Sequence, residues 1–231
     1  MKRNLFITDK KAVLWAIIVV VTACLLMALV ELILSPTYMI KSIYKIVLFL
    51  LLPFGYVLCF KRSDFKKLFI PDKRSLIIAL AMGAAVYILI LGAYFTLGRF
   101  FDFSQVTSTL EERLGVMRGN FVFVAIYISL INSFLEEFFF RGFSFLILKK
   151  SFGRKLSYIF SAGAFSLYHV AIITGWFTPL LFILLIIALF IAGIIFNWFC
   201  EKSNTIYPSW LIHMCANFAI NTIGFMLFGI M

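Results

Sequence analysis

The segment 132-NSFLEEFFFRG-142 places two carboxylates and one guanidinium inside an apolar run that extends from residue 121 to residue 148. About 20 predominantly apolar residues cross the hydrocarbon core of a bilayer as a helix, so this run is long enough to span it. A charged residue at the centre of such a helix costs about 2.5–3.5 kcal/mol on insertion scales. Charged side chains in spans therefore face the interior of a helix bundle and by default mark functional sites. The segment predicts a membrane helix that carries a polar site.

The composition is that of an integral membrane protein. Of the 231 residues, 64% are hydrophobic and 13% are charged, whereas soluble domains average about 25% charged residues. The net charge of +11 is explained by basic cytoplasmic loops and does not indicate nucleic-acid binding. The four cysteines stand singly without a C-x-x-C pair, which argues against a disulfide framework and a cysteine-ligated zinc site. No Pro/Gly/Ser-rich linker divides the chain, so we expect one integral-membrane domain over residues 1–231.

Apolar runs of about 20 residues recur along the whole chain. They predict an all-α polytopic bundle of about seven transmembrane helices, with eight as the upper count. The predicted spans are 12–34, 43–60, 75–98, 121–148, 156–174, 179–200 and 206–229. Between the third and fourth, Ser108-Thr-Leu-Glu111 resembles a capping box and predicts the start of a short surface helix.

Basic residues are distributed unevenly between the two sides of these spans. Fifteen fall on the side of the N-terminus and five on the other side. The five are Lys41, Lys45, Arg99, Arg113 and Arg118. The positive-inside rule therefore predicts a cytoplasmic N-terminus in the cell membrane. Residues 61–74 interleave basic and apolar side chains, which indicates contact with anionic lipid headgroups, although a solvated loop that only sets topology has the same pattern.

The charged residues of the fourth span divide into two groups by their helical positions. Glu137 and Arg141 are four residues apart, so they lie one turn apart on one face and form the natural ion pair. Glu136 lies about 100° around the helix, with Asn132 one turn before it on its own face. Glu136 is therefore left for chemistry, and the other two charges support the structure. The alternative is that all four side chains form a packing network between helices.

Both histidines of the chain lie inside apolar runs. His169 is in the fifth span, and His213 is in the seventh span with Asn217 one turn later on the same face. A single buried histidine in a membrane helix is usually a hydrogen-bond partner between helices. Because both histidines are placed in this way beside an acidic helix, we expect them to converge on Glu136.

The depth of these residues tests the convergence. At about 1.5 Å per residue, Glu136 and His169 both lie roughly 20 Å from the inner ends of their runs. His213 is only five residues after Pro208 and is therefore shallower. A meeting of the three side chains requires the connection 201–208 to dip into the protein, or the seventh helix to be offset.

Two kinds of hydrolytic chemistry use one carboxylate, two imidazoles and a carboxamide. In the first, a carboxylate and a neutral histidine take a proton from a water molecule and direct the water oxygen at a carbonyl carbon, while other donors stabilise the oxyanion. In the second, Glu136, His169 and His213 hold a zinc ion with an open position for water. Both routes hydrolyse an amide, and the residues alone leave both open.

Three short motifs resemble those of the CPBP family. Glu136-Glu137-Phe-Phe-Phe-Arg141 matches EExxxR, Phe165-Ser-Leu-Tyr-His169 matches FxxxH, and His213-Met-Cys-Ala-Asn217 matches HxxxN. This family includes the CAAX prenyl endopeptidases and the bacterial Abi-type, bacteriocin-processing proteins. The resemblance covers about residues 121–229, the CPBP-like protease core, whereas residues 1–120 match only in being helical spans.

The resemblance implies an intramembrane endopeptidase whose site opens from the membrane toward the cytoplasm. Glu136 and His169 would activate the water, His213 and Asn217 would stabilise the oxyanion, and Glu137 and Arg141 would support them. Members of this family are often described as metalloendopeptidases, and a metal-free glutamate mechanism is also proposed for them. The resemblance therefore leaves open whether the site binds zinc. The short loops resemble bacterial members, for which we expect a peptide or membrane-protein substrate rather than a prenylated tail.

Two other classes of protein bury similar residues. A non-catalytic scaffold or immunity protein would keep this fold, but it would be free to lose motif residues that this chain retains. A proton-coupled transporter would also bury Glu, His, Arg and Asn. Transporters more often show internal repeats and paired broken helices, and neither is seen in the sequence.

Overall fold

The structure, a computed structural model, describes residues 10–60 and 63–231, apart from the side chains of residues 10, 63–65 and 151. Within this part there is no strand, and seven helices are long and apolar enough to cross a membrane. They are α1 (Lys11–Leu34), α2 (Tyr38–Cys59), α3 (Lys73–Phe100), α5 (Phe121–Lys150), α6 (Phe152–Ile173), α7 (Pro179–Ser203) and α8 (Tyr207–Leu227). The predicted all-α membrane bundle is confirmed.

A short helix, α4 (Ser104–Leu114), connects α3 to α5. It begins four residues before the predicted capping box, so Ser108 lies inside the helix and the predicted start was wrong. The backbone N–H of Ser104, the first residue of the helix, donates to Asp102 Oδ1 at 2.9 Å. Hydrogen bonds from the backbone and the side chain of Ser104 lower the pKa of Asp102 below its usual value.

Helix α2 begins five residues earlier than predicted. Lys41 and Lys45 consequently lie inside the bundle, only 7% and 5% exposed, and not in an outer segment as the orientation count assumed. That assignment was wrong, because each ammonium is paired with a carboxylate of the bundle, Lys41 with the partly buried Glu31 and Lys45 with the buried Glu136. Three of the five basic residues remain on that side, so the asymmetry that predicts a cytoplasmic N-terminus becomes larger.

Other predictions concern basic residues at the chain's beginning and in the loop after α2. Lys2 and Arg3, together with Lys61 and Arg62, lie outside the described residues. Residues Ser63–Phe69 form a 3₁₀ helix. The proposed lipid contact of the 61–74 loop therefore stays a prediction.

Helix α5 departs twice from regular α-helical geometry. Ile128–Asn132 and Phe138–Phe145 are π-helical, and they bracket the segment Ser133–Glu137 that carries both glutamates. A π-helical turn adds a residue per turn and releases carbonyls from the α-helical ladder, and such turns are frequent at functional sites. The motif segment is thus set between two local changes of helical phase.

The core is built on the aromatic residues that follow the glutamates. Phe139 and Phe140 are fully buried, and the ring of Phe139 stacks on Phe49 of α2 with centroids 4.1 Å apart and an interplanar angle of 4°. Small and medium residues of α1, including Ala16 and Ala23, pack against this cluster. These contacts hold α2 against α5 at the level of the polar site.

The connection between α7 and α8 lies inside the protein. Thr205 and Ile206 are buried. Thr205 Oγ1 donates to the carbonyl oxygen of Leu68 at 2.7 Å, and the Ile206 N–H donates to the same oxygen at 3.3 Å. This burial agrees with the first of the two arrangements expected for His213, in which the connection 201–208 enters the protein.

Candidate active site

Glu136 lies at the meeting point of four helices and is buried. Its Oε1 atom accepts hydrogen bonds from Lys45 Nζ at 2.5 Å and from Asn132 Nδ2 at 3.1 Å. Its Oε2 atom lies 3.7 Å from His169 Nε2 and 3.7 Å from His213 Nε2. One carboxylate oxygen is therefore held by donors, while the other faces both imidazoles.

Each histidine is oriented by a bond at its other ring nitrogen. His169 Nδ1 lies 2.7 Å from the carbonyl oxygen of Phe165, and His213 Nδ1 lies 2.9 Å from Glu137 Oε1. Because both partners are acceptors, we assign the proton of each neutral ring to Nδ1. Each Nε2 then presents a lone pair toward Glu136.

Three acceptor atoms thus face one another inside the bundle. The separation of 3.7 Å from Glu136 Oε2 to each Nε2 is longer than a hydrogen bond. A water molecule supplies two O–H donors and forms two to four hydrogen bonds in a buried polar site. The arrangement is suited to holding a water against Glu136 Oε2.

Glu137 connects the buried guanidinium to His213. Arg141 Nη1 lies 3.3 Å from Glu137 Oε1, and both side chains are 0% exposed, which confirms the predicted ion pair. The guanidinium also lies over the rings of Phe165 and Phe196, at 4.1 and 4.9 Å from their centroids. Glu137 therefore has a second role that the sequence did not indicate, since the same oxygen fixes the ring of His213.

Helix α8 is bound to α5 by side chains that were mostly not predicted. Three of them donate to backbone carbonyls in or near the first π-helical turn. They are Trp210 to Leu130 O at 3.1 Å, Asn217 to Ile128 O at 3.2 Å and Asn221 to Ala125 O at 3.1 Å. These side-chain bonds add to the backbone N–H donors that the same carbonyls already have within α5. Asn217 was predicted to stabilise an oxyanion, and its carboxamide uses one N–H on α5.

Helix α6 also donates to the second π-helical segment. Ser161 Oγ donates to the carbonyl oxygen of Phe140 at 2.8 Å and lies 3.1 Å from Asn197 Oδ1 of α7. This contact fixes the helix that carries His169. Ser166 on the same helix donates to the carbonyl oxygen of Ile186 at 2.7 Å, which gives its hydroxyl a structural role.

Lys45 is the site residue that sequence reasoning missed. Its ammonium bonds Asn132 Oδ1 and Glu136 Oε1, both at 2.5 Å, and lies 5.0 Å from the ring centroid of Tyr168. A signal was present, because a lysine inside an apolar run is as costly as a glutamate there. Lys45 was instead counted among the charges outside the membrane.

A zinc ion held by Glu136, His169 and His213 was the other predicted arrangement. Among residues 10–60 and 63–231, no group of three or more His, Cys, Asp and Glu side chains has the spacing to hold a metal ion. The Lys45 ammonium also bonds the Glu136 carboxylate and would repel a second cation there. The described arrangement does not fit a metal centre, and zinc binding stays a prediction.

Comparison with known families bears on the same residues. Residues 118–219 match the family model described as type II CAAX prenyl endopeptidase Rce1-like. The resemblance to the CPBP family is confirmed. The matched segment contains all three motifs, whereas Lys45 lies outside it. The match indicates a protease, and with seven apolar helices it indicates an integral multi-pass membrane protein. Searches of curated proteins and of solved structures each found no match.

Proposed function

We propose that this protein is an intramembrane endopeptidase that hydrolyses a peptide bond of a membrane-associated protein or peptide. The observation that carries the proposal is the convergence of two imidazole Nε2 atoms on Glu136 Oε2, while Oε1 is held by Lys45 and Asn132. A structural network would place its carboxylate oxygens in direct hydrogen bonds. Here Oε2 lies 3.7 Å from each Nε2 atom, beyond hydrogen-bond distance, and we propose that a water donates to Oε2 and to one of the imidazoles.

The reaction begins with the water held at Glu136 Oε2. The carboxylate takes one water proton as general base while His169 Nε2 accepts a hydrogen bond from the other. The hydroxide oxygen forms a bond to the carbonyl carbon of the substrate, and a tetrahedral oxyanion results. Glu136 then gives its proton to the amide nitrogen, the C–N bond breaks, and an amine and a carboxylic acid are released.

His213 and Asn217 are the proposed oxyanion donors. In the neutral ring assigned above, Nδ1 of His213 donates to Glu137 and Nε2 is an acceptor, so the oxyanion role requires that Nε2 first binds a second proton from solvent. In that imidazolium form His169 is the ring that accepts a hydrogen bond from the water. The Glu137 carboxylate stabilises that charged ring in the manner of a carboxylate–histidine pair. Asn217 contributes the N–H that is not used on Ile128.

A metal-dependent version of this reaction would use Glu136, His169 and His213 as ligands, and zinc would lower the pKa of the bound water. The contact between Lys45 and Glu136 favours the metal-free glutamate mechanism. The cell membrane, a cytoplasmic N-terminus and a bacterial origin are parts of the proposal that rest on the charge distribution and the short loops.

The test is cleavage of an internally quenched peptide by purified protein in detergent or proteoliposomes. One probe ends in a prenylated C-a-a-X sequence and the other is the same peptide without the lipid. We expect the wild type to cleave at least one probe and Glu136→Gln to lose about 10²–10⁴-fold in kcat, the contribution of a general base.

The matched control is Glu31→Gln. Glu31 is a partly buried glutamate that is also paired to a lysine of α2, but its partner is Lys41. The control removes a comparable charge and should retain cleavage. Wild-type activity in Glu136→Gln would refute the assigned role, and inactive wild-type protein on both probes would favour a scaffold on the same fold.

A further inference from the structure

We propose that Lys45 is a positioning residue of the catalytic site, which holds the Glu136 carboxylate so that Oε2 faces the two histidines. This inference rests on the proposed function. Lys45 is on α2, outside the segment that matches the family, and its partner Glu136 is 91 residues further along the chain.

The surroundings of the ammonium define its orientation. Two of its donors are used on Asn132 Oδ1 and Glu136 Oε1. The remaining face lies over the aromatic rings of Tyr168 and Phe49, with 5.0 and 5.6 Å to their centroids. The charge is thus held by one carboxylate, one carboxamide and two π faces, and the side chain is buried.

The arrangement restricts both neighbours. Asn132 accepts from Lys45 through Oδ1 and donates to Glu136 through Nδ2 at 3.1 Å. The three groups form a closed ring of hydrogen bonds around Oε1. Rotation of the carboxylate would break two bonds to Oε1 at once, so Oε2 is kept toward His169 and His213.

The chain contains a matched lysine one turn away. Lys41 is also on α2, is similarly buried, and is also ion-paired, but its carboxylate is Glu31. A general contribution of buried lysines to folding predicts equal effects at the two positions. The positioning role predicts that only Lys45 affects the chemical step.

The experiment compares Lys45→Met, Lys45→Arg and Lys41→Met in kinetics with the cleaved peptide probe. We expect Lys45→Met to lower kcat about 100-fold, the size expected for a misplaced catalytic group, while KM stays within about threefold. Lys45→Arg, which keeps the charge, should recover part of kcat. Lys41→Met should keep kcat while losing a similar amount of Tm.

A double-mutant cycle between Lys45→Met and Glu136→Gln, followed by thermal unfolding, needs no activity. Each single variant leaves one charge of the pair without its partner, whereas the double variant leaves none. The Tm loss of the double variant should therefore be smaller than the sum of the single losses. The same cycle between Lys41→Met and Glu136→Gln should be additive.

The outcomes separate the two proposals. Wild-type kcat in a folded Lys45→Met variant, or an equal loss of kcat in Lys41→Met, would overturn the positioning role. If wild-type protein cleaves neither probe, the proposed function fails. In that case non-additive Tm losses would still support Lys45 as the residue that positions Glu136, and additive losses would overturn it.

Discussion

The contact of Glu137 with both Arg141 and His213 leads to a prediction in which stability and catalysis respond differently. Glu137→Gln keeps the shape of the side chain and removes its charge. Arg141 is 0% exposed and has its carboxylate 3.3 Å away. Breaking a buried ion pair by removing one partner costs about 3–5 kcal/mol, because the other charge is left uncompensated.

The aromatic contacts of the guanidinium do not replace the lost carboxylate. Arg141 keeps the ring of Phe165 at 4.1 Å, and a cation–π contact contributes about 0.5–2 kcal/mol that is already present in the wild type. We therefore expect Glu137→Gln to lower the free energy of unfolding by about 3–5 kcal/mol. For a chain of this size about 1 kcal/mol corresponds to 2–4 °C, so Tm should fall by roughly 6–20 °C.

The double variant Glu137→Gln/Arg141→Met separates the two effects. Methionine removes the unpaired charge and places a thioether against Phe165 and Phe196, a favourable contact. Replacement of a buried ion pair by apolar groups is often neutral, so most of the lost Tm should return. The cleavage rate should stay low, because the imidazolium of His213 still lacks its carboxylate.

Thermal unfolding in detergent micelles, followed by tryptophan fluorescence, measures the first effect, and peptide cleavage measures the second. A double variant as unstable as Glu137→Gln would refute the explanation by an unpaired guanidinium. Wild-type cleavage by the double variant would show that His213 does not need Glu137.

The close approach of α6 and α7 predicts that Gly193→Ala lowers the free energy of unfolding by about 1–3 kcal/mol, since the new Cβ would lie 2.9 Å from the Cα of Ala162. The control is Gly163→Ala, which has open space at its Cβ. Equal Tm values for the two variants would contradict the reasoning. The contact of Lys45 with Glu136 predicts that protein stripped of metal by a chelator keeps its cleavage rate. Peptide cleavage measures the rate, and elemental analysis of the same sample confirms that the metal is gone. Loss of activity that added zinc restores would establish the metal route instead.

The spans illustrate what can be predicted from sequence. Hydrophobicity summed over about 20 residues locates a membrane helix without knowledge of its neighbours. The predicted starts fall within five residues of the observed helices, and the largest difference is at α2. That error left Lys41 outside the predicted span, although its ammonium is paired with Glu31 and it lies inside the observed helix.

The site shows a similar division. The pairing of Glu137 with Arg141 was predictable because residues four apart on a helix are neighbours whatever surrounds them. The convergence of both histidines on Glu136 was expected from their burial, and the structure brings them together. The π-helical turns of α5 were not predicted, because an apolar run indicates a helix without distinguishing α from π hydrogen bonding. Side chains of α6 and α8 donate to carbonyls in these turns.

An all-α membrane protein with the motifs of a protease family can be recognised from the chain alone, since length, hydrophobicity and spacing within one helix are local properties. The pairing of the buried charges depends on how the helices pack. Lys45 and Glu136 are 91 residues apart and meet because α2 packs against α5. His213 comes within 3.7 Å of the same carboxylate because α8 packs against α5. A charge in lipid must find a partner, but its identity depends on the packing of helices that no single segment encodes.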